Sequence, residues 1–198
     1  MGITAKAGAE IELIPEDVYL AVCHAVIDLG LQPDKTYGGH KHKIMIGWEL
    51  PELTYTYEGK TKPKTMWNRY TLSLSAKSVL YGILTSWRGR KFTEAELKGF
   101  DISALLGAPC QLQVVHTSSG GKNYANVQNV MPLPKGTAKP QPTVKWLFSF
   151  EDGAVFPEGL PEWIVKTIKG SANYQHAEAP PESAQGSAEP EDDDQVPF

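Results

Sequence analysis

The sequence predicts a mainly β protein: a five-stranded barrel with a helical segment between strands three and four, plus a C-terminal extension and a disordered acidic tail. Five segments carry the apolar patterns of strands, three before a helical segment and two after it. The hydrophobic content of 41% is enough for a core in a body of about 130 to 170 residues. Residues 171–198 contain almost no large apolar side chains, so they are expected to remain disordered.

The first two strands differ in pattern. Residues 17–31 are apolar on both faces, as expected of a long strand in a closed barrel. Residues 41–50 alternate, with apolar side chains including Trp48 on the face that we expect to enter the core. Pro51 is expected to end this strand, because proline cannot donate a hydrogen bond to a ladder.

The third strand is predicted at residues 65–74, after a turn at 58–60. Trp67 and Arg69 lie on the face opposite Tyr70 in this pattern. Trp67 is therefore expected to point outward, where it either stacks on a ligand or packs against a neighbouring helix or a partner subunit.

Two helices are predicted after the third strand. Ser75 is a candidate N-cap for a helix over 76–87, in which Val79 is expected to face the core. Thr93 and Glu96 have the spacing of a capping box, which predicts a second short helix.

The last two strands are predicted at 109–116 and 124–130, joined by a hairpin turn at 118–122. Three strands, a helical segment and two strands is the element order of the OB-fold, which binds oligonucleotides along its second and third strands and nearby loops. A different five-stranded barrel, or an α+β sheet, has the same pattern.

The chain is divided into three parts by composition. Residues 1–135 form the predicted OB-fold domain, and residues 136–170 a linker and short C-terminal extension that docks on the barrel or on a second subunit. Residues 171–198 form the acidic tail. Between Lys35 and Lys145 there are 16 basic and 6 acidic residues, whereas the tail has seven acidic residues and no Lys or Arg. This asymmetry indicates a polyanion partner.

Several other classes of protein find no support in the sequence. Cys23 and Cys110 show no pairing pattern and are expected to be reduced core residues, and no apolar run is long enough to span a membrane. The histidines have no common metal-ligand spacing, and the body lacks the clustered carboxylates of a two-metal nuclease. We therefore expect a cytoplasmic protein that is not an enzyme and has no metal or other cofactor.

Basic and aromatic residues are interleaved on the predicted second and third strands and near them. Proteins bind single strands with a positive groove that follows the phosphates and with aromatic rings that stack on bases. Tyr55 and Tyr57 could equally be ordinary hairpin surface, and the arginines near residue 88 could serve the helix dipole. With Lys60 nearby, the predicted DNA-binding residues are Tyr37, Lys41, Lys43, Tyr55, Tyr57, Lys62, Lys64, Trp67, Arg69, Trp87, Arg88, Arg90, Lys122 and Tyr124.

The tail ends in a distinctive peptide. Three acidic residues precede an apolar end that a basic-rimmed pocket could capture. The residues concerned are Asp192, Asp193, Asp194, Pro197 and Phe198. This ending resembles the tail of bacterial single-stranded DNA-binding proteins, except that Gln195 adds a polar residue before the apolar position.

The body resembles the single-stranded DNA-binding proteins of tailed bacteriophages over roughly residues 10–135. The stretches that carry this resemblance are KHKIMIGWEL (41–50), RYTLSL (69–74), SWRGRKF (86–92) and LGAP (106–109). The resemblance implies an OB-fold protein that coats single-stranded DNA without sequence preference during phage replication or recombination, in the cytoplasm of the infected host. It also implies that the acidic tail recruits replication proteins. Because the extension could dock on a second subunit, we also expect that the chain can form a homo-oligomer. The alternatives are an RNA-binding OB-fold protein and a protein-interaction adaptor that binds no nucleic acid.

Overall fold

The computed structural model describes residues 13–174, and this part of the chain is mainly β. The predicted residues of the acidic peptide, Asp192 to Phe198, lie outside it. The six strands of the described part are β1 (Asp17–Pro33), β2 (His40–Tyr57), β3 (Lys60–Thr71), β4 (Pro109–Ser119), β5 (Lys122–Met131) and β6 (Trp146–Phe148). Its three α-helices are α1 (Val79–Arg88), α2 (Glu94–Lys98) and α3 (Glu162–Lys169), and a 3₁₀ turn covers Ile102–Leu105.

The strands form one curled sheet that stays open. Its order is β3-β2-β1-β4-β5, all antiparallel, and the short β6 pairs with β1 in parallel. Five long strands were expected, and all five are present. The expected closed barrel is not seen, because β3 and β5 at the two edges are not joined by a hydrogen-bonded ladder within residues 13–174.

Strand β1 is apolar on both faces because each face is covered. One face lies in the main core, where Tyr19, Cys23 and Val26 pack with the inner residues of the other strands and with α1. The other face, including Ile27, packs against a second cluster formed by β6 and α3. The C-terminal extension, rather than barrel closure alone, therefore explains the long apolar run.

Strand β2 continues beyond Pro51 to Tyr57, so the prediction that this proline ends the strand is wrong. The register between β2 and β3 shifts between Leu50 and Thr54, and Pro51 lies in this irregular stretch. Proline is tolerated at such a bulge because no ladder hydrogen bond is required of it there. The β2–β3 hairpin is longer than predicted as a result.

Helix α1 begins later than predicted. Its N-cap is Ser78, whose hydroxyl accepts a hydrogen bond from the backbone N–H of Tyr81, and not Ser75. Val79 is 71% exposed, so its predicted core position is wrong, whereas Leu80, Ile83 and Leu84 are buried as expected. The predicted capping box of Thr93 and Glu96 at α2 is confirmed.

The predicted core positions of Trp48 and of both cysteines are confirmed. Trp48 is fully buried, and Cys23 and Cys110 are buried and free. Burial raises the pKa of the Cys23 thiol to about 12, so this thiol remains protonated.

Candidate nucleic-acid interface

The β2–β3 hairpin carries aromatic and basic residues on one face. Its turn uses Glu58 and Gly59, both with positive φ, as a two-residue hairpin turn requires. Tyr55 pairs with Lys62 and Tyr57 pairs with Lys60, and directly opposed residues project to the same face. Both tyrosines are about half exposed (46% and 57%), so their rings are available to a ligand.

A cavity of about 590 Å³ opens beside this hairpin; we call it the tryptophan cavity. Trp67 and Trp146 are nearly parallel, with ring centroids 6.2 Å apart and an interplanar angle of 19°. Trp163 meets Trp67 edge to face at 5.8 Å. The lining residues are His24, Glu49, Tyr55, Lys60, Thr61, Lys62, Pro63, Thr65, Trp67, Thr143, Val144, Trp146, Gly159, Pro161 and Trp163.

The three tryptophans reach the cavity from three separate segments. Trp67 lies on β3 against Gly47 of β2, where a Cβ atom would come within 2.7 Å of the indole. Trp146 is placed by the pairing of β6 with Ala25 of β1, and its indole N–H donates to the carbonyl of Glu158 at 3.1 Å. Trp163 belongs to the first turn of α3 and is 46% exposed.

A buried histidine and a buried carboxylate lie at the base of the cavity. The register of β1 on β2 shifts between Cys23 and Ala25, which makes His24 the extra residue of a β-bulge. His24 Nδ1 is 3.8 Å from Glu49 Oε1, and the two side chains are 1% and 2% exposed. Desolvation lowers the pKa of His24 well below its usual 6.5, against the opposing effect of Glu49.

Glu49 binds the linker that precedes β6 through hydrogen bonds. Its carboxylate accepts hydrogen bonds from the backbone N–H and the hydroxyl of Thr143, both at 2.8 Å, and from the N–H of Val144 at 3.4 Å. By contrast, neither ring nitrogen of His24 has a hydrogen-bond partner within the described residues.

A second cavity, of about 570 Å³, lies between the two hairpins; we call it the tyrosine cleft. Tyr124 of β5 and Lys64 of β3 both line it, and Tyr124 is 47% exposed. Tyr55 and Thr65 line both cavities, so the two form one continuous surface. The lining residues of the cleft are Leu13, Ile14, Tyr55, Lys64, Thr65, Tyr124 and Ala125.

This surface brings together only part of the predicted DNA-binding set. Tyr55, Lys62, Lys64, Trp67 and Tyr124 line the cavities. Two further predicted residues are at the hairpin tips. Tyr57 belongs to the cross-strand pair next to the β2–β3 turn, and Lys62 Nζ is 6.0 Å from its ring centroid. Lys122 is the first residue of β5, beside the β4–β5 turn.

Three predicted residues near the end of α1 have structural partners instead. Trp87 is 6% exposed, and its indole N–H donates to the carbonyl of Pro109. Arg88 and Arg90 both bond to Glu96, and the guanidinium of Arg88 also lies 4.2 Å from the ring centroid of Phe92. The hydrogen bond from Arg90 is the main reason why the pKa of Glu96 falls to about 2. We therefore leave these three residues out of the candidate interface.

Four more predicted residues lie at the opposite end of β2 or beside α3. Lys41 forms an ion pair with Asp34 at 2.6 Å and lies over the ring of Tyr37 in the β1–β2 loop. Lys43 donates to Thr71, and Arg69 to Thr167 of α3 at 3.4 Å. The outward face of β2 and β3 is in part covered by the extension, so that Trp67 packs against helix α3, one of the two alternatives left open for it.

Sequence reasoning did not find Trp146, Trp163 and the His24–Glu49 pair. The apolar cluster at 146–169 predicted a docking extension, but nothing in its spacing indicated a parallel pairing with β1. Within residues 13–174 no three His, Cys, Asp or Glu side chains are grouped so that they could hold a metal ion. None of the helices there is both long and apolar enough to cross a membrane.

Comparisons with known proteins do not assign this surface a role. No profile of a known protein family matches the chain, and no curated protein matches it either.

Proposed function

We propose that the chain is a single-stranded DNA-binding protein with an OB-type body, which coats single strands during replication or recombination with little sequence preference. The observation that carries this proposal is the continuous surface of the tryptophan cavity and the tyrosine cleft. Aromatic rings and lysines line it together, and this is the combination that binds bases and phosphates of a single strand.

The sheet order supports an OB-type body. An OB-fold is a five-stranded, partly open barrel. Here the path β3-β2-β1-β4-β5 places β3 and β5 at its two ends, with α1 between β3 and β4 in the chain. Some residues of β3 and β5 have Cα atoms within 8 Å of each other. A barrel that is open along this one seam accounts for the arrangement.

The charges along the surface favour an anionic ligand. Lys60, Lys62 and Lys64 alternate along β3 and therefore project to one face. Among the residues that line the two cavities, the one acid is Glu49, which is buried and accepts three hydrogen bonds. A phosphate backbone along β3 would meet cations and no exposed carboxylate from either lining.

The proposal is tested by titrating the full chain with poly-dT, poly-rU and a DNA duplex while following its tryptophan fluorescence. Trp163 is exposed, so its fluorescence should change when a strand is bound. Binding of poly-dT in preference to the other two supports the proposal. Tighter binding of poly-rU would instead support an RNA-binding protein. Absence of binding to all three would support the adaptor reading and overturn nucleic-acid binding.

We further propose that Phe198 and the acidic run before it recruit replication proteins of the host. This part rests on the sequence and on its resemblance to bacterial tails. Deleting Phe198 leaves the tail's Asp and Glu residues in place, so DNA affinity should be unchanged while capture of a purified replication protein with a basic-rimmed apolar pocket is lost. Equal capture with and without Phe198 would leave the tail without this role.

A further inference from the structure

The tryptophan cavity is a recess with walls of different chemistry, and not a flat stacking platform. Its volume of about 590 Å³ lies within the range of ~300–1,000 Å³ that small-molecule sites occupy. Trp67 and Trp146 supply nearly parallel rings, Trp163 supplies a ring perpendicular to Trp67, and Lys60 and Lys62 are also part of the lining.

The base of the recess has unused hydrogen-bonding capacity. His24 is 1% exposed, sits at a β-bulge and contacts Trp67 and Trp146 at ring distances of 4.8 and 5.4 Å. Neither of its ring nitrogens has a partner among residues 13–174. Leaving buried polar atoms unpaired lowers stability, and bulges that re-aim a side chain are frequent beside functional sites. A cost in stability at a β-bulge is common beside functional sites.

The charges exclude one common ligand of aromatic recesses. Cages of aromatic rings bind quaternary ammonium groups through the ring faces. Here Lys60 and Lys62 would repel such a cation, and the carboxylate of Glu49 is already engaged by Thr143 and Val144. An aromatic recess with cations at its side fits a flat, uncharged ring attached to an anion, as in a nucleotide.

We propose that the tryptophan cavity captures a single unstacked base of the bound strand, with the adjoining phosphate on Lys60 and Lys62. This inference rests on the proposed function and adds to it that one base is inserted while its neighbours lie along the hairpins. Because a paired base cannot leave its duplex without unpairing, the recess also selects single strands over duplex.

The test separates the contribution of the base from that of the backbone. Three DNA strands of equal length are compared: one fully abasic, one with a single central thymine, and one all thymine. They are titrated against the full chain, Trp163→Ala and the control Leu147→Ala. Leu147 belongs to the same extension and is 39% exposed, but does not line the cavity.

For the unaltered chain and for Leu147→Ala, we expect the single thymine to raise affinity roughly tenfold over the abasic strand, as one stacked base does. In Trp163→Ala this gain should disappear while affinity for the abasic strand is retained. A thymine that adds nothing, or a variant that weakens the abasic and single-thymine strands equally, would overturn base capture but not DNA binding. Failure of all three strands to bind the unaltered chain would overturn the proposed function itself.

Discussion

Glu49 on β2 accepts two hydrogen bonds from Thr143, one from its backbone N–H and one from its hydroxyl, although the residues are 94 positions apart in the chain. This contact fixes the linker at the point where it turns into β6. Since β6 carries Trp146 and leads on to α3 with Trp163, this buried carboxylate adds to the β1–β6 pairing in holding the segment that supplies two cavity walls.

Replacing Glu49 with alanine should loosen the extension. The N–H groups of Thr143 and Val144 would lose their acceptor, and a typical hydrogen bond contributes about 0.5–1.5 kcal/mol to the free energy of unfolding. Glu49→Gln keeps an acceptor and should cost less. Chemical denaturation measures the loss, with the exposed Glu52→Ala on the same strand as the control. Equal stabilities of Glu49→Ala and Glu52→Ala would contradict this role.

Much of the fold could be predicted because its patterns are local. The alternation of apolar residues located the five long strands and buried Trp48, and the Thr93–Glu96 spacing located α2. The errors arose where two local signals compete. Ser75 and Ser78 are both acceptable N-caps, and the structure uses Ser78. Pro51 predicts the end of a strand unless the strand has a bulge at that position, as it does here.

The candidate site was only half predictable. Trp67 was found because residues alternate along the predicted third strand, and Tyr55 and Lys62 because basic and aromatic residues are interleaved next to it. Trp146 and Trp163 were not, since β6 has only three residues, too few to show a period, and its partner β1 is more than 100 residues away. What covers the outer face of a sheet is set by tertiary packing, so Trp67 alone could not reveal its neighbours.

Tyr55 should contribute more to binding than Tyr37, which sequence reasoning placed in the same interface. Tyr55 lines both cavities, whereas Tyr37 lies in the β1–β2 loop beside Lys41 and is 83% exposed. Loss of one stacking ring should weaken poly-dT binding by ~1–3 kcal/mol in Tyr55→Ala, with an unchanged melting temperature. Tyr37→Ala should bind like the unaltered chain; an equal loss there would move the interface to the loop.

Affinity for poly-dT should fall steeply with salt. If Lys60, Lys62, Lys64 and Lys122 each neutralise one phosphate, the slope of log affinity against log salt should be about −3, from roughly −0.7 per contact with a single strand. Lys62→Gln should reduce this slope by ~0.7, and Lys62→Arg should preserve it. Lys91→Gln, between α1 and α2, is the control and should leave the slope unchanged. If Lys62→Gln left the slope unchanged and Lys91→Gln reduced it, the phosphates would lie near Lys91 and not along β3.

Stability should decline as the pH falls below the usual pKa of histidine, about 6.5, because of His24. Burial beneath Trp67 and Trp146 lowers the pKa of His24 in the folded chain, so below pH 6.5 the unfolded chain takes up the proton first. The stabilisation is thus complete above pH 6.5 and is lost as the pH falls, by at most about 1.4 kcal/mol per pH unit for one proton.

The charged groups that face His24 are Glu49 at 3.8 Å and, in the lining of the same cavity, Lys60 and Lys62. His24→Phe removes this titration, so its free energy of unfolding should depend less on pH between 4.5 and 6.5 than that of the unaltered chain. Glu96 does not interfere in this interval, because the hydrogen bond from Arg90 lowers its pKa from 4.5 to about 2 and confines its own effect to lower pH. Denaturant titrations of both proteins across the interval give the difference. Parallel pH profiles would mean that His24 titrates alike in the folded and unfolded chains, and that its burial carries no proton-linked cost.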